Sequence, residues 1–278
     1  MTYSIVARDP NSGELGIAVQ SRAFNTGAVV PWGAPGVGVV ATQSYTEQSY
    51  GPLGLELLRE GKSPEQALAA LVAADDDQRY RQVAILDAEG GVAVHVGEAC
   101  IPAAGYVSGE GFSAQANMVD SDRVWQAMAE AFEQSEGPLE ERLLDALDAA
   151  EAAGGDWRGR QAAGILVVAG EGQPWEREVN LRVDDHPEPL VELRRLVRLR
   201  RAYRAMREPP GPTADDFEVL PELDRTWARI YIATATGQLE EARELLRPVL
   251  EAEPRWADLI RSLAERKLLP NADKLLDD

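Results

Sequence analysis

The sequence predicts an α/β protein followed by a small all-helical segment. Polar and apolar residues alternate from residue 3 to 8, and a β-rich run covers 15–19. Further along the chain, helix-like patterns arrive in pairs between runs with strand-like patterns. A proline-rich stretch at 208–212 then precedes a segment of helical composition. We therefore expect two domains, at residues 1–207 and 208–278.

Two architectures fit this order of elements. Two packed sheets with a helix pair on each outer face would give a four-layer α/β/β/α sandwich, and this is the arrangement we expect. A single sheet with helices on one side is the alternative, because the pattern alone does not separate the two.

The first hairpin is the anchor of the main domain. Its first strand begins at residue 2, and Asp9, Pro10, Asn11 and Gly13 form a dense turn signal before the second strand. Chain ends are usually loose. A strand this close to the end indicates that residue 2 is held inside the fold.

The remaining elements follow in order along the chain. A tight loop is predicted at 31–36 and a buried strand at 37–42. A helix follows at 53–59, and a second helix begins after Ser63, where Gln66 completes the spacing of a capping box. The other predicted elements are hairpins at 82–96 and 104–117, helices at 121–134 and 139–153, strands at 163–169 and 178–183, a helix ending near 206, and three helices at 221–234, 238–252 and 254–267.

Composition excludes several classes of function. A net charge of −19 argues against nucleic acid and against anionic membrane surfaces as partners. The single cysteine, Cys100, excludes an internal disulfide framework and suits a reducing compartment. The sequence shows no basic leader followed by an apolar run, and its longest uncharged run contains prolines and glycines. We expect a soluble, cytoplasmic protein.

Thr2 is the first candidate for chemistry. Removal of Met1 would expose an α-amine with an ordinary pKa of about 7.7–8.0. This amine can take the proton of the Thr2 hydroxyl, which gives the threonine–amine form of an activated nucleophile. The alternative is that a small second residue is common and has no catalytic meaning.

Three further polar residues are candidates for the same site. Asn117 ends a predicted strand and could present its amide to an oxyanion, or it could cap the following helix. Arg158, with Gln161 close behind it, could orient a substrate carboxylate through its planar guanidinium, or it could form an ordinary surface ion pair.

Cys100 with His95 is the rival nucleophile pair, although a lone cysteine is more often a small buried hydrophobe. The acids near His186 fit helix capping better than metal binding, and two histidines are too few for a His-based zinc site. We expect no metal and no cofactor.

Short stretches in the first two hundred residues resemble the bacterial domain-of-unknown-function family 1028, which belongs to the N-terminal-nucleophile (Ntn) hydrolase superfamily. The matching stretches lie at 4–10, 41–43, 49–52, 97–100, 115–118, 158–161 and 183–187. The resemblance implies that Thr2 occupies the nucleophile position and that Arg22 matches a nearby arginine. Gln20 stands where related peptidases have the acid that supports a catalytic lysine, so this chain departs from the peptidase pattern.

The function implied is amide-bond hydrolysis, with a small-molecule or peptide amide as substrate. The competing class is a non-catalytic binding or scaffold protein built on the same fold. Residues 237–256 resemble one tetratricopeptide-type unit, and in relatives the appended segment is described as a peptidoglycan-binding domain. One such unit is too short to be stable alone. We expect it to pack on the main domain or to mediate assembly into a homo-oligomer.

Overall fold

The structure is a computed structural model that describes residues 2–173, 175–206 and 213–276. Its contacts divide the chain into two compact units, Met1–Val197 and Arg198–Asp278. The predicted domain break at 208–212 lies outside the described residues. The division by contacts falls earlier, inside a helix that starts at Pro189.

Strands make up the centre of the first unit. In the described residues they are β1 (Thr2–Arg8), β2 (Leu15–Ser21), β3 (Pro31–Ala34), β4 (Gly38–Ser44), β5 (Arg81–Asp87), β6 (Val92–Val96), β7 (Gly105–Gly109), β8 (Phe112–Asn117), β9 (Ala162–Val168) and β10 (Val179–Val183). They form two antiparallel sheets, one of six strands in the order β10-β9-β2-β1-β8-β7 and one of four in the order β3-β4-β5-β6.

Helices follow the strands in pairs. Those of the first unit are α1 (Thr26–Val29), α2 (Tyr50–Arg59), α3 (Pro64–Ala73), α4 (Arg123–Gln134), α5 (Leu139–Ala152) and α6 (Pro189–Ala205), the last of which continues into the second unit. Ser63 caps α3 as predicted: its hydroxyl accepts from the Gln66 backbone N–H, and the Gln66 side chain accepts from the Ser63 N–H.

Strand β1 shows how alternation divides the interior. Tyr3, Ile5 and Ala7 lie in an apolar cluster with side chains of α4, α5 and α6, whereas Val6 lies in a second cluster with Val39 of the four-stranded sheet. A third apolar cluster joins the four-stranded sheet to α2 and α3. The two sheets therefore face each other, and each has helices against its outer face.

One predicted element is wrong. The stretch predicted as a tight loop at 31–36 contains strand β3, which pairs with β4. Pro31 is the first residue of this edge strand, where its missing N–H costs no ladder hydrogen bond. The sequence predicted the neighbouring strand at 37–42, but it did not show that residues 31–34 pair with it.

The second unit is helical in its described part. It contains the end of α6, α7 (Ala214–Val219), α8 (Glu222–Ala235), α9 (Leu239–Ala252) and α10 (Trp256–Glu265). The last three lie close to their predicted ranges. Ile230, Leu246 and Ile260 meet in one apolar cluster, and Trp227 packs against Trp256 with their rings 5.2 Å apart. No helix in the described ranges is both long enough and apolar enough to cross a bilayer.

Candidate functional site

Thr2 begins the central strand of the six-stranded sheet. It pairs with Ser21 on one side and with Asn117 on the other. Thr2 is 7% exposed, and its hydroxyl donates to Ser21 Oγ at 3.1 Å. Thr2 has the same parity along β1 as Ser4 and Val6, so its side chain lies on the face that meets the second sheet. The hydroxyl is therefore held at one end of the space between the sheets.

A chain of buried polar side chains continues from Thr2 between the two sheets. Every member is fully buried: Ser4, Gln43, Gln82, Ser113, Gln115 and Asn117. Gln115 Nε2 donates to Ser4 Oγ at 2.7 Å, and Ser4 Oγ donates to Gln43 Oε1 at 2.7 Å. Gln43 Nε2 donates to Gln82 Oε1 at 2.7 Å and also lies 3.4 Å from the Thr2 carbonyl oxygen. The network thus connects both sheets to the backbone of Thr2.

The hydrogen bonds of Gln82 fix which way the amides point. Its Nε2 donates to the backbone oxygens of Ala116 at 2.9 Å and Gly105 at 3.2 Å. Its Oε1 must then be the acceptor, and it receives Gln43 Nε2 and, at 2.8 Å, Asn117 Nδ2. Asn117 Oδ1 is left buried without a partner among the described residues. Asn117 was predicted to present its amide to an oxyanion; one of its two amide N–H groups donates to Gln82, and the atom without a partner is the acceptor Oδ1.

Gln20 lies on the other face of the sheet. It pairs with Tyr3, and directly paired residues of antiparallel strands share a face. Tyr3 belongs to the cluster under the helices, so Gln20 points away from Thr2. Both side-chain amide atoms of Gln20 are buried without a hydrogen-bond partner in the described chain. Gln20 was predicted to lie beside the nucleophile, but the strand register places its side chain on the opposite face from Thr2.

Tyr3 carries the other polar contact on that helix-facing side. Its hydroxyl donates to Glu151 Oε2 at 2.5 Å. Burial, together with the adjacent Glu151 carboxylate, raises the pKa of Tyr3 well above its ordinary value. The phenol therefore stays protonated in the folded chain at neutral pH.

Arg22 follows Ser21 directly and is tied to the loop before β9. Its backbone N–H donates to Asp156 Oδ2 at 2.8 Å, and its Nη1 donates to Gln161 Oε1. Gln161 Nε2 in turn donates to Asp185 Oδ1 at 3.0 Å. Since Gln161 precedes Ala162, the cross-strand partner of Ser21, the structure brings Arg22 and Gln161 together beside the Thr2 end of the sheet.

Arg158 has an acidic partner within two residues. Its guanidinium pairs with Asp156, with Nη2 and Oδ2 3.2 Å apart, and its backbone N–H also donates to Asp156 Oδ1 at 2.9 Å. The Asp156 side chain is fully buried. Of the two interpretations of Arg158, the structure shows the ion pair.

His95 and Cys100 do not form a pair. His95 pairs with Val83, which packs against α2 and α3, so the imidazole lies on the outer side of the four-stranded sheet. Its Nε2 is 2.9 Å from the Gln78 carbonyl oxygen, whereas Cys100 Sγ donates to the Arg81 carbonyl oxygen at 3.3 Å. Each side chain is engaged by a different backbone carbonyl, so the proposed Cys–His arrangement is absent.

Two strained residues lie directly beside the polar network. Ser44 (φ 72°) follows Gln43, and Met118 (φ 56°) follows Asn117. A left-handed conformation in a residue other than glycine costs about 1–3 kcal/mol and is concentrated at functional sites. The Ser44 hydroxyl is also buried without a partner in the described chain. Strain and unpaired polar atoms thus coincide at the Thr2 end of the sheets.

The described residues contain no group of three His, Cys, Asp or Glu side chains placed to hold an ion. His186 Nδ1 accepts from the Glu188 backbone N–H at 3.0 Å, so this contact before α6 is made by the imidazole and not by the acids predicted to cap the helix.

Sequence reasoning missed Ser21, Gln43, Gln82 and Asp156. Gln82 carried a signal, because it is a polar residue in a predicted strand, whereas Ser21 and Gln43 lie just beyond the strands predicted at 15–19 and 37–42. Asp156 carried none, since its role depends on a loop that returns to Ser21 from far along the chain.

Comparison with known proteins places the chain in a family. Residues 2–193 match the model described as "Family of unknown function (DUF1028)", and the chain belongs to this family. The crystal structure of protein SPO2555 from Silicibacter pomeroyi, a member of the same family, is 35% identical, with a TM-score of 0.65 over 70% of this chain and 84% of that one.

Two solved structures are more distant. Anbu (ancestral beta-subunit) from Yersinia bercovieri is 12% identical, with a TM-score of 0.33 over 76% of this chain and 99% of that chain. An Anbu Gly-1 mutant from Hyphomicrobium sp. strain MC1 is 12% identical, with a TM-score of 0.35 over 73% and 97% of the two chains. No curated protein matches the chain.

Proposed function

We propose that the first unit is a four-layer N-terminal-nucleophile domain that hydrolyses an amide bond with Thr2. The observation that carries this proposal is the setting of the Thr2 hydroxyl. It is buried at the first residue of the central strand, bonded to Ser21 Oγ at 3.1 Å, and backed by a polar network that occupies space a stability-driven core would fill with apolar groups.

The reaction balances with Thr2 alone once residue 1 has been removed. The α-amine accepts the hydroxyl proton while Oγ1 attacks the carbonyl carbon. The tetrahedral intermediate collapses, the C–N bond breaks, and the departing amine takes the proton from the α-ammonium. Water then attacks the resulting ester, releasing the acid and restoring the hydroxyl.

The neighbouring residues have positioning roles in this scheme. Ser21 orients the hydroxyl as its hydrogen-bond acceptor. Gln43 holds the Thr2 carbonyl, and Gln82 binds the Asn117 amide nitrogen, which leaves Asn117 Oδ1 as an acceptor without a partner in the described chain. An acceptor there suits a donor such as the α-ammonium of a processed chain, whose strand position is paired with Asn117.

The test combines intact mass with an amidase screen. We expect the purified protein to lack Met1 and to release amine from at least one member of a panel of small amides. Thr2→Ala should reduce this activity to background, and Thr2→Ser should retain part of it. Ser113→Ala is the matched control, since it removes a hydroxyl at the far end of the same network. Full activity in Thr2→Ala, or in protein that retains Met1, contradicts the mechanism.

A second candidate function rests on one specific observation. In the described residues, the Thr2 hydroxyl is bonded to another hydroxyl and not to a basic side chain. A chain that keeps Met1 would therefore lack a base at Thr2 and would act as a non-catalytic binding protein. In that case the C-terminal helical segment, residues 208–278, would bind the partner and would mediate self-association.

A further inference from the structure

We propose that Arg22 is the substrate-specificity residue of this site and that it binds a carboxylate carried by the amide substrate, as in an N-acyl amino acid. This inference deepens the proposed function and rests on it, because the carboxylate must belong to the molecule whose amide meets Thr2. Four observations lead to it.

The first observation is the absence of an acid partner. No carboxylate of the described residues lies within ion-pair distance of the Arg22 guanidinium, and Arg22 is exposed. Arginines around it are neutralised: Arg158 pairs with Asp156, Arg160 with Glu151 and Glu188, and Arg182 with Asp184. Arg22 thus keeps its positive charge uncompensated among arginines that are paired with acids.

The second observation is that the guanidinium is nevertheless held in place. Its Nη1 donates to Gln161 Oε1, and the Gln161 amide is fixed from its other end by Asp185 Oδ1 at 3.0 Å. The Gln161 backbone oxygen is also anchored, since it accepts from the His186 N–H at 2.8 Å. A neutral amide positions the arginine without cancelling its charge, which a carboxylate in the same place would do.

The third observation concerns the donors that remain. With Nη1 bound to Gln161, the Nε and Nη2 groups make no hydrogen bond to any described residue. These two N–H groups form one of the parallel pairs with which arginine binds a carboxylate in bidentate fashion. The free edge has the geometry that a substrate carboxylate needs.

The fourth observation is proximity to the nucleophile. Arg22 is the residue after Ser21, whose Oγ receives the Thr2 hydroxyl, and successive Cα atoms are about 3.8 Å apart. The backbone of Arg22 is fixed by Asp156, which holds this spacing. Both groups thus belong to the same end of the six-stranded sheet, which is the placement that a substrate carrying an amide and a carboxylate requires.

The experiment separates binding from turnover. In the first arm, Thr2→Ala protein, which cannot hydrolyse the probes, is titrated by calorimetry with N-acetyl amino acids bearing small, apolar, aromatic or acidic side chains, and with the matching N-acetyl amino acid amides. We expect at least one acid to bind about tenfold or more tightly than its neutral amide, as the loss of a charge-assisted pair requires. Adding Arg22→Gln should abolish that preference, and Arg22→Lys should restore only part of it.

Arg177→Gln is the matched control for this arm. Arg177 is also an exposed arginine held by one neutral oxygen, the Gly33 carbonyl. The substitution Arg177→Gln should leave the preference for the acid over its amide unchanged. Equal binding of every acid and its amide, or a preference that survives Arg22→Gln, overturns the inference.

The second arm measures hydrolysis of the same pairs by otherwise unaltered protein. Hydrolysis of acids and amides with equal kcat/KM would leave the proposed function standing and overturn the role of Arg22. Preferred binding of the acids without any hydrolysis would support the carboxylate site and contradict the proposed amide hydrolysis. For a specificity residue, Arg22→Gln should raise KM for the acid substrate, so that the kcat/KM of the acid falls to that of its neutral amide.

Discussion

The two halves of the space between the sheets are built on opposite principles. Gln82 and Leu86 lie on the same face of β5, four residues apart, and both are fully buried. Leu86 packs among Ile17, Val39 and Leu166 in an apolar cluster. Gln82 instead bonds two amides and two backbone carbonyls. One strand thus contributes to an apolar core at one end and to a polar network at the other.

The difference shows what each half contributes to the folded protein. Burying apolar side chains contributes about 25 cal/mol per Å² to folding, whereas a buried hydrogen bond contributes only about 0.5–1.5 kcal/mol net. A network of six polar side chains is therefore a poor way to gain stability. It does fix the orientation of every amide it contains, and it ends at Thr2. The apolar half holds the sheets together, and the polar half holds groups in place.

The largest loss of stability should come from a substitution in the apolar half. Leu86→Ala removes a fully buried side chain and leaves a cavity, which we expect to lower the free energy of unfolding by about 2–5 kcal/mol. Urea denaturation followed by circular dichroism measures this loss. The pattern of ligand binding at Arg22 should be retained while the variant is folded. A loss below about 1 kcal/mol would show that the sheets are held together elsewhere.

The second-largest loss of stability should come from Gln82, which makes the most hydrogen bonds in the polar half. Gln82→Leu leaves the amides of Gln43 and Asn117 and the Ala116 carbonyl without their partner, so we expect a loss of about 1–3 kcal/mol in the free energy of unfolding, and of amidase activity as well.

Ser113→Ala is the control for Gln82→Leu, since Ser113 donates one hydrogen bond, to Gln115, at the far end of the network. It should cost about 1 kcal/mol and leave activity intact. Equal losses of activity in the two variants would contradict a positioning role centred on Gln82.

The smallest effect on stability should come from Tyr3 of β1, whose side chain lies on the helix-facing side of the six-stranded sheet. The raised pKa of Tyr3 means that the folded chain keeps this phenol protonated while the unfolded chain ionises it near pH 10. Its contribution to stability is complete below that pH and is lost as the pH rises through the folded-state pKa. We expect the free energy of unfolding to fall by at most about 1.4 kcal/mol per pH unit above pH 10 from this group.

Tyr3→Phe should remove that part of the slope, measured from urea midpoints at pH 8 and 10.5. The exposed Tyr106 provides the control, and Tyr106→Phe should leave the slope unchanged. A slope that is the same in both variants would show that Tyr3 does not titrate differently in the folded and unfolded chains.

The local elements of this fold were predictable because their signals are local. The turn at residues 9–13, the cap at Ser63 and the alternation in β1 each depend on neighbours in sequence, and the structure has a hairpin, a capping box and a two-faced strand at those places. The predicted pairing of His95 with Cys100 was wrong because it does not depend on a local signal. The two residues are five apart, on a strand and in the turn after it, and this spacing does not show which face of the sheet each side chain takes.

What the sequence by itself determined is most of the long helices and strands, and the position of Thr2 at the start of the first strand. Only the tertiary structure decided which polar groups meet that residue. Strand register places Gln20 under the helices and Ser21 against the Thr2 hydroxyl, and sheet packing brings Gln43 and Gln82 across from another part of the chain. The physical reason is range: hydrogen bonds within a turn or cap are specified by a few residues, whereas the facing of two sheets is specified by the summed burial of both.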